Sequence, residues 1–302
     1  MTGYLGVFGH TSLDVILDVP RMPDRGSSIA VEKRVTRFGG TAANISRAAA
    51  EMGVDVSLAS FVGDDFPEDY LDSLEGSGVD THDLVMMKGY KTPTCWIIND
   101  PTGDQTAFID QGAMGHAEEF QVQSTTIENS EILHIGTGQP GYYRKVYEHA
   151  DLDQKLIVFD PAQELEYVYD PETFERFLRM SDYFFCNQNE ADVALKYLDE
   201  DRREDLLKFV ELVLITEGSE GSSLYLPDEN IQIPAYEPDE IIEPTGAGDS
   251  FRAGFYAALY RGFELKECFK VGSARASFSV EAAGPQDKLV GWEEVLERYE
   301  NR

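Results

Sequence analysis

Short apolar runs alternate with longer amphipathic stretches along most of this chain. The apolar runs have the length of buried strands, and the stretches between them carry apolar residues at helical spacing. The apolar runs lie at residues 4–9, 55–63, 132–138, 156–161, 183–187 and 212–218. Alternation of this kind predicts an α/β fold, with helices on both faces of one sheet.

Two regions break this rhythm and are predicted to be extended, at residues 12–38 and 88–112. In the second, "TCWIINDPTGDQTAFID" alternates apolar and polar positions around a Pro-Thr-Gly-Asp turn, which is the pattern of a β-hairpin. Extended segments outside a strand-helix rhythm often form a lid beside the carboxyl ends of the strands. No linker or repeat divides the chain, so we expect a single domain over residues 1–302 that carries such a lid.

The chain is strongly acidic, with 56 Asp and Glu residues, 25 Lys and Arg residues and a formal net charge of −31. Nucleic acids and anionic membranes bind basic surfaces, so we expect neither as a partner. The acidic residues are spread through periodic segments and 42% of the chain is hydrophobic, which indicates a folded protein with an acidic surface. We interpret this surface as a halophilic adaptation, since salt screens the repulsion between like charges.

The cysteines and histidines indicate neither disulfides nor a metal centre. Cys95, Cys186 and Cys268 are scattered and odd in number, and the five histidines form no ligand cluster. The N-terminus lacks the pattern of a signal peptide, and no apolar run approaches the length of a membrane span. We therefore expect a cytoplasmic protein with reduced thiols.

The stretch "IIEPTGAGDSFRAGF", residues 241–255, places two glycines where a helical pattern begins. Backbone N–H groups around Gly246 and Gly248 can converge on one point, where the helix dipole adds positive potential and favours an anion. Asp249 would repel a bound phosphate unless it has another purpose. It is either a base that takes a proton from an attacking hydroxyl or a residue that only stabilises the helix end.

A second glycine-rich turn, "RFGGTAANISRAAAEMG" at residues 37–53, also precedes a helical pattern. Gly39 and Gly40 permit close backbone approach, and Asn44 can donate to and accept from a hydroxylated ligand. Asp14, in "GHTSLDV", can accept hydrogen bonds from a sugar diol. The alternatives are a tight turn that packs the helix on the sheet, and a solvated carboxylate beside the lid.

Two further stretches follow predicted strands. In "CNQNEAD", Asn187 could reach a phosphate and Glu190 could hold a Mg²⁺-bound water, although the pair could equally form a capping box. In "ITEGSEG", the residues Thr216, Gly218 and Gly221 belong either to a loop for nucleotide phosphates or to an ordinary turn.

These stretches together resemble the PfkB family of carbohydrate and nucleoside kinases. "GGTAANISRAAAEMG" and "EPTGAGDSFRAGF" are similar to its two signature regions, and "NQNE" and "TEGSEG" to its N-x-x-E and ATP-loop motifs, in the family's order. The resemblance covers nearly the whole chain. It implies the ribokinase-like fold, a three-layer αβα sandwich with a small β-sheet lid, and transfer of a phosphoryl group from ATP, with Mg²⁺, to an alcohol group.

The resemblance also implies a role for each matched residue. Asp249 would be the catalytic base, beside an anion hole formed by Gly246, Ala247 and Gly248. Substrate hydroxyls would contact Asp14, Gly39, Gly40 and Asn44. Mg-ATP would contact Asn187, Thr216, Gly218 and Gly221, with Glu190 on the metal through a water.

One departure from the family concerns cofactors. Many members have Asp-Thr where this chain has Glu243-Pro244, and Pro244 has no N–H to donate. The sequence therefore leaves open whether that loop binds a monovalent cation in addition to Mg-ATP.

The stretches "GHTSLDVILDV", "HIGTGQP" and "FDPAQEL" resemble archaeal nucleoside kinases more than ribokinase or fructokinase. This implies a nucleoside substrate of the guanosine, inosine or cytidine type, phosphorylated on its 5'-hydroxyl. Gln163 and, with less support, Gln111 would contact the substrate, and Trp96 or Phe108 would pack on the base or within the hairpin. His134, in an apolar strand, is expected to be a core residue.

Two other functions fit the same residues. One is a sugar kinase that acts on ribose, fructose or a keto-deoxy sugar acid, and the other is a non-catalytic ligand-binding protein with this fold. An intact Asp249 beside the glycines argues against the second. An exposed lid sheet also favours a homodimer formed through the lid.

The acidic surface generates a test of salt adaptation. We expect KCl at molar concentration to raise the Tm by at least about 5 °C relative to dilute buffer, because it screens the repulsion within a highly charged chain. Calorimetry with a non-ionic osmolyte at equal osmolality is the control. An equal rise in both solutions, or full stability and activity in dilute buffer, would remove the support for a halophilic origin.

Overall fold

A computed structural model describes residues 3–101, 105–149, 152–243 and 245–301. Its strands, in chain order, are β1 Leu5–Phe8, β2 Ser12–Asp18, β3 Lys33–Gly39, β4 Val56–Gly63, β5 Leu84–Met87, β6 Thr94–Asn99, β7 Gln105–Asp110, β8 Ile132–Ile135, β9 Leu156–Phe159, β10 Tyr183–Asn187, β11 Leu212–Thr216, β12 Ser222–Leu226 and β13 Glu229–Ile233. Its α-helices are α1 Thr41–Glu51, α2 Glu68–Gly76, α3 Ser124–Asn129, α4 Pro140–His149, α5 Leu165–Val168, α6 Pro171–Arg179, α7 Gln188–Leu198, α8 Ala247–Tyr260, α9 Leu265–Ser279 and α10 Trp292–Glu300.

The main sheet has nine strands in the order β13-β12-β11-β10-β9-β8-β1-β4-β5. The strands from β11 to β5 in this order run parallel, and β12 and β13 add an antiparallel edge. The six apolar runs seen in the sequence all form strands of the parallel part, β1, β4, β8, β9, β10 and β11. That prediction is confirmed, because parallel strands covered on both faces carry nearly continuous apolar runs.

Helices cover both faces of this sheet and produce two hydrophobic cores. In β11, Leu212 and Leu214 face one core, whereas Val213 and Ile215 face the other. Each such side chain contributes about 1.5–3 kcal/mol by leaving water. The fold is therefore the predicted three-layer αβα sandwich, and its parallel strands all end at one edge.

A smaller, separate sheet of four strands, in the order β3-β2-β6-β7, comes from the two segments predicted to be extended. The strands β6 and β7 form the predicted antiparallel hairpin, in which Trp96 lies opposite Phe108. Residues 102–104 of the hairpin turn lie outside the described residues. None of the helices in the described part of the chain is long and apolar enough to cross a membrane.

Candidate active site

A cavity of about 490 Å³ lies between the carboxyl ends of the parallel strands and the small sheet. Most of the predicted site residues meet in its wall. The lining includes Asp14, Gly40, Asn44, Gln163, Asn187, Glu190, Thr216, Gly218, Gly246, Gly248 and Asp249. Three predicted site residues, Gly39, Ala247 and Gly221, are not part of the lining, although the first two adjoin residues that are. A cavity of this size matches the clefts that bind small molecules.

The helix α8 begins at Ala247, between the two glycines of the turn. Gly246 is its N-cap residue, with a left-handed φ of 81° that favours glycine, and no side chain among the described residues caps it. The first N–H groups of this helix are therefore available to an anion in the cavity. Ala247 is the first residue of α8, and its part in the anion hole implied by the family resemblance stays a prediction.

Asp249 lies in the first turn of α8, and its carboxylate is held by another helix. Asn44 of α1 donates from Nδ2 to Oδ2 of Asp249 over 2.8 Å. The amide oxygen of Asn44 in turn accepts from Nε2 of Gln286 over 2.8 Å, and Gln286 is itself held by Arg47 and Tyr70. This network fixes which way the Asn44 amide faces. Gln286 was not found from the sequence.

Burial changes the acidity of this carboxyl group. It raises the pKa of Asp249 from 3.8 to about 7, while the Asn44 hydrogen bond and the Arg252 charge act in the opposite direction. A general base works best when its pKa is near the working pH. Asp249 is thus better suited to proton transfer than an exposed aspartate would be.

Close contacts explain why the two residues before α1 are glycines. A Cβ at Gly39 would collide with the carboxylate of Asp14, and a Cβ at Gly40, whose φ is 95°, would collide with the His10 carbonyl. The close approach predicted for this turn is therefore present, and it brings the β2 carboxylate of Asp14 beside α1. Desolvation raises the pKa of Asp14 to about 6.

Asn187 and Glu190 form the capping box that was the alternative reading of their spacing. The Glu190 carboxylate accepts from the backbone N and from Nδ2 of Asn187, both over 2.7 Å. Both side chains nevertheless line the cavity. Desolvation, with the charge of Asp160, raises the pKa of Glu190 to about 7.

The donor groups here fit a hydrated cation better than a bare one. Within the described ranges, no group of three or more His, Cys, Asp and Glu side chains is arranged to hold a metal ion. Mg²⁺ that keeps its waters and is carried by phosphate oxygens needs only one or two carboxylates from the protein. Glu190 satisfies that requirement. Pro244, on which the question of a monovalent-cation site depends, lies outside the described residues.

In the loop after β11, part of the sequence fits a phosphate-binding loop and part fits an ordinary turn. Thr216 and Gly218 line the cavity. Gly221, with a φ of 98°, starts the turn into β12, where a Cβ would collide with the Ile233 carbonyl. Gly221 therefore has a structural reason to be glycine that is independent of any ligand.

The loop after β9 carries Gln163 into the cavity wall. The preceding residue, Ala162, has a φ of 48°, a left-handed conformation that costs a non-glycine residue about 1 kcal/mol or more. Gln111 is engaged elsewhere: its Oε1 lies 2.7 Å from Nε2 of His10, and its Nε2 donates to Glu164 over 2.6 Å. Gln111 thus holds His10 and Glu164, two residues of the cavity wall.

The expectation that Trp96 or Phe108 packs on a ligand is wrong. Side chains alternate along a strand, and Cys95, Ile97 and Ile109 face the cavity. Trp96 and Phe108 lie on the outer face of the small sheet, 40% and 56% exposed.

His134 is a core residue as predicted, although its ring also borders the cavity. Its Nδ1 lies 2.8 Å from the hydroxyl of Tyr256, and burial lowers its pKa to about 4. The imidazole is therefore neutral near pH 7.

The shifted pKa of Asp249 predicts a pH-dependent stability. The unfolded carboxyl ionises near its ordinary value of 3.8 and the folded one near 7, so the native state holds this proton more tightly. The contribution of Asp249 to stability is full below 3.8 and is lost as the pH rises toward 7. We expect Asp249→Asn to raise the free energy of unfolding at pH 8 by about 1 kcal/mol, a figure reduced for screening by the open cavity. The gain should vanish toward pH 4.

Asp72→Asn is the matched control, because it removes one negative charge from an exposed position of α2. Denaturant titrations of both variants across this pH range separate burial from net charge. Equal stabilisation by the two substitutions would contradict the assigned pKa shift.

Comparison with known proteins agrees with this geometry. Residues 3–290 match the pfkB family of carbohydrate kinases. A nucleoside kinase of Methanocaldococcus jannaschii is 36% identical over 97% of this chain and 95% of its own length. A nucleoside kinase of Methanothermobacter thermautotrophicus is 34% identical over 96% and 94%.

A solved structure gives the same result for the fold. The crystal structure of Methanocaldococcus jannaschii nucleoside kinase, an archaeal member of the ribokinase family, superimposes with a TM-score of 0.92 at 34% identity. The match covers 100% of this chain and 99% of that one. This chain therefore belongs to the PfkB family, has the ribokinase-like fold and is a phosphotransferase that acts on a hydroxyl group.

Proposed function

We propose that this protein is an ATP- and Mg²⁺-dependent kinase that phosphorylates the 5'-hydroxyl of a nucleoside. The observation that carries the proposal is the placement of Asp249, a partly buried carboxylate at an uncapped helix N-terminus, in one cavity with the Asp14 carboxylate. The names of the two relatives at 36% and 34% identity support a nucleoside as the substrate class.

In the proposed reaction, the substrate hydroxyl lies beside Asp249 and the triphosphate lies along Asn187, Thr216 and Gly218. The hydroxyl oxygen forms a bond to the γ-phosphorus as the bond from that phosphorus to the β-γ bridging oxygen breaks, which releases ADP. The proton of the hydroxyl passes to Asp249. The N–H groups at the start of α8 stabilise charge on the transferred group. Mg²⁺, held beside Glu190 through water, would neutralise phosphate charge.

The small sheet acts as a lid over the nucleoside in this proposal, within a single domain. Asp14 accepts hydrogen bonds from the 2'- and 3'-hydroxyls, and the base packs against Cys95, Ile97 and Ile109 on the inner face of the sheet. Contact with apolar side chains there would exclude water from the transfer step. Gln163 supplies a polar contact from the opposite wall.

Three further predictions concern oligomeric state, salt dependence and cellular location. The exposed pair Trp96 and Phe108 supports a homodimer formed through the outer face of the lid, which the molar mass in solution would check. The acidic surface supports function at high salt, and the cytoplasmic location stays a prediction from the sequence.

The role of Asp249 predicts the effect of its removal. We expect Asp249→Asn to bind ATP nearly as well as the wild type but to lose roughly 10²- to 10⁴-fold in kcat, the usual contribution of a general base. Coupled ADP-release assays and calorimetric ATP binding measure the two quantities, with Asp72→Asn as the active control. A variant that keeps more than about a tenth of wild-type kcat would make Asp249 a structural residue.

The role of Asp14 predicts a preference for ribonucleosides. A 2'-deoxynucleoside loses one hydrogen bond to a carboxylate, about 1.5–3 kcal/mol, so kcat/KM should fall about ten- to a hundredfold. Asp14→Ala should remove most of this preference while leaving ATP binding intact. The measurement is a substrate panel of inosine, guanosine, cytidine, their deoxy forms, ribose and fructose.

The same panel distinguishes the competing functions. Turnover of ribose or fructose more efficiently than every ribonucleoside would replace the nucleoside kinase by a sugar kinase. Equal use of ribo- and deoxyribonucleosides would keep the reaction and remove Asp14 from its role. Absence of ATP consumption with all of them would favour a non-catalytic protein.

A further inference from the structure

Arg252 occupies an unusual position in the cavity. It lies three residues after Asp249 on α8, so the two side chains share one face of the helix. Its side chain is buried, with 6% exposure for the residue, yet it forms part of the cavity wall. A buried arginine at such a place needs both a counter-charge and a reason to remain near the cavity.

The counter-charge is Asp160, which directly follows β9. Nε of Arg252 donates to Oδ2 of Asp160 over 2.7 Å, and both residues are buried. Nη1 donates to the Gly248 carbonyl over 3.3 Å. A Cβ at position 248 would lie 3.2 Å from Nη1, so the glycine leaves room for the guanidinium. The planar group is thus fixed from one side.

The cavity is otherwise acidic. Its carboxylates are those of Asp14, Asp110, Asp160, Glu164, Glu190 and Asp249. Arg252 is the only lysine or arginine among the described residues that line it. An ATP triphosphate would bring further negative charge into this space. A fixed cation in this wall, in addition to Mg²⁺ beside Glu190, would reduce the repulsion between these carboxylates and the phosphates.

We propose that Arg252 is a further catalytic residue, whose guanidinium contacts the γ-phosphoryl group during its transfer to the substrate hydroxyl. This inference rests on the proposed kinase reaction. Asp160 is the positioning residue, because it accepts from Nε and so fixes the plane of a guanidinium that lines the cavity. As the bond to the γ-phosphorus forms and the bond to the ADP oxygen breaks, the fixed N–H groups stabilise the charge on the equatorial oxygens without reorganising.

A purely structural role makes a different prediction. If the Arg252–Asp160 pair only fills buried space, its loss lowers stability and affects ADP and ATP binding alike. If Arg252 contacts the γ-phosphoryl group, its loss lowers kcat and leaves ADP binding unchanged, because ADP lacks that group. The two roles therefore separate in the ratio of kcat to ADP affinity.

The test compares Arg252→Gln and Arg252→Lys with the wild type, using the best substrate of the panel. We expect Arg252→Gln to lose about 10²- to 10³-fold in kcat, the usual loss for one preorganised donor, with an ADP Kd within about twofold of wild type. Arg252→Lys keeps the charge beside Asp160 but loses the planar fork, so it should fold and still lose about tenfold or more in kcat.

Chemical rescue supplies a second readout. Guanidinium ion, below denaturing concentrations, should restore part of the kcat of Arg252→Ala and none of that of Asp249→Asn. Circular dichroism establishes that each variant is folded. A folded Arg252→Gln within threefold of wild-type kcat, or an Arg252→Lys with full kcat when Arg252→Gln does not fold, would overturn the proposal. If the wild type itself consumes no ATP with any member of the panel, the proposed function fails instead.

Discussion

The structure depends on keeping a carboxylate, Asp249, at the open N-terminus of a helix inside a partly dry cavity. Desolvation opposes its charge, and the helix dipole and Arg252 favour it. The balance leaves a group that can change protonation near neutrality. The hydrogen bond from Asn44 keeps that group in one orientation. Without such a bond, a short side chain in a cavity of this size would occupy several rotamers.

The two sheets contribute different residues to the cavity. The nine-stranded sheet brings loops from β1, β8, β9, β10 and β11 to one edge, which is where open α/β sheets bind ligands. The four-stranded sheet adds Asp14 and an apolar face opposite that edge. Most polar groups of the cavity thus come from the large sheet, while the apolar face of the small sheet keeps water away from them. The raised pKa values of Asp14, Glu190 and Asp249 are the electrostatic result of this enclosure.

Much of the fold could be predicted from the sequence, for a physical reason. The run "LVLI" in β11 is apolar and buried at every position because helices cover both faces of the sheet, and such runs are easily recognised. The glycines at 39, 40 and 246 could be found because their turns exclude other residues. The pairing of Arg252 with Asp160 and the support of Asn44 by Gln286 could not be found. Their partners lie 92 and 242 residues apart, and no local pattern encodes such contacts.

The outer and inner faces of the lid illustrate the same limit. Alternation in "CWI" separates Trp96 from Cys95 and Ile97, but it does not say which face meets the cavity. That choice is made by the docking of the small sheet on the large one. The predicted packing of Trp96 or Phe108 on the base was therefore assigned to the face of the lid that points away from the cavity.

The support of Asn44 by Gln286 also bears on how the chain matures during synthesis. Asn44 and its helix emerge early, whereas α8 with Asp249 follows some two hundred residues later, and Gln286 comes after both. Most of the parallel sheet can assemble before the Asp249 carboxylate has a partner. A nascent chain that stops short of Gln286 would thus contain the whole parallel sheet but leave the Asn44 amide unsupported, so the orientation of the Asp249 carboxylate is fixed only when the last part of the chain folds.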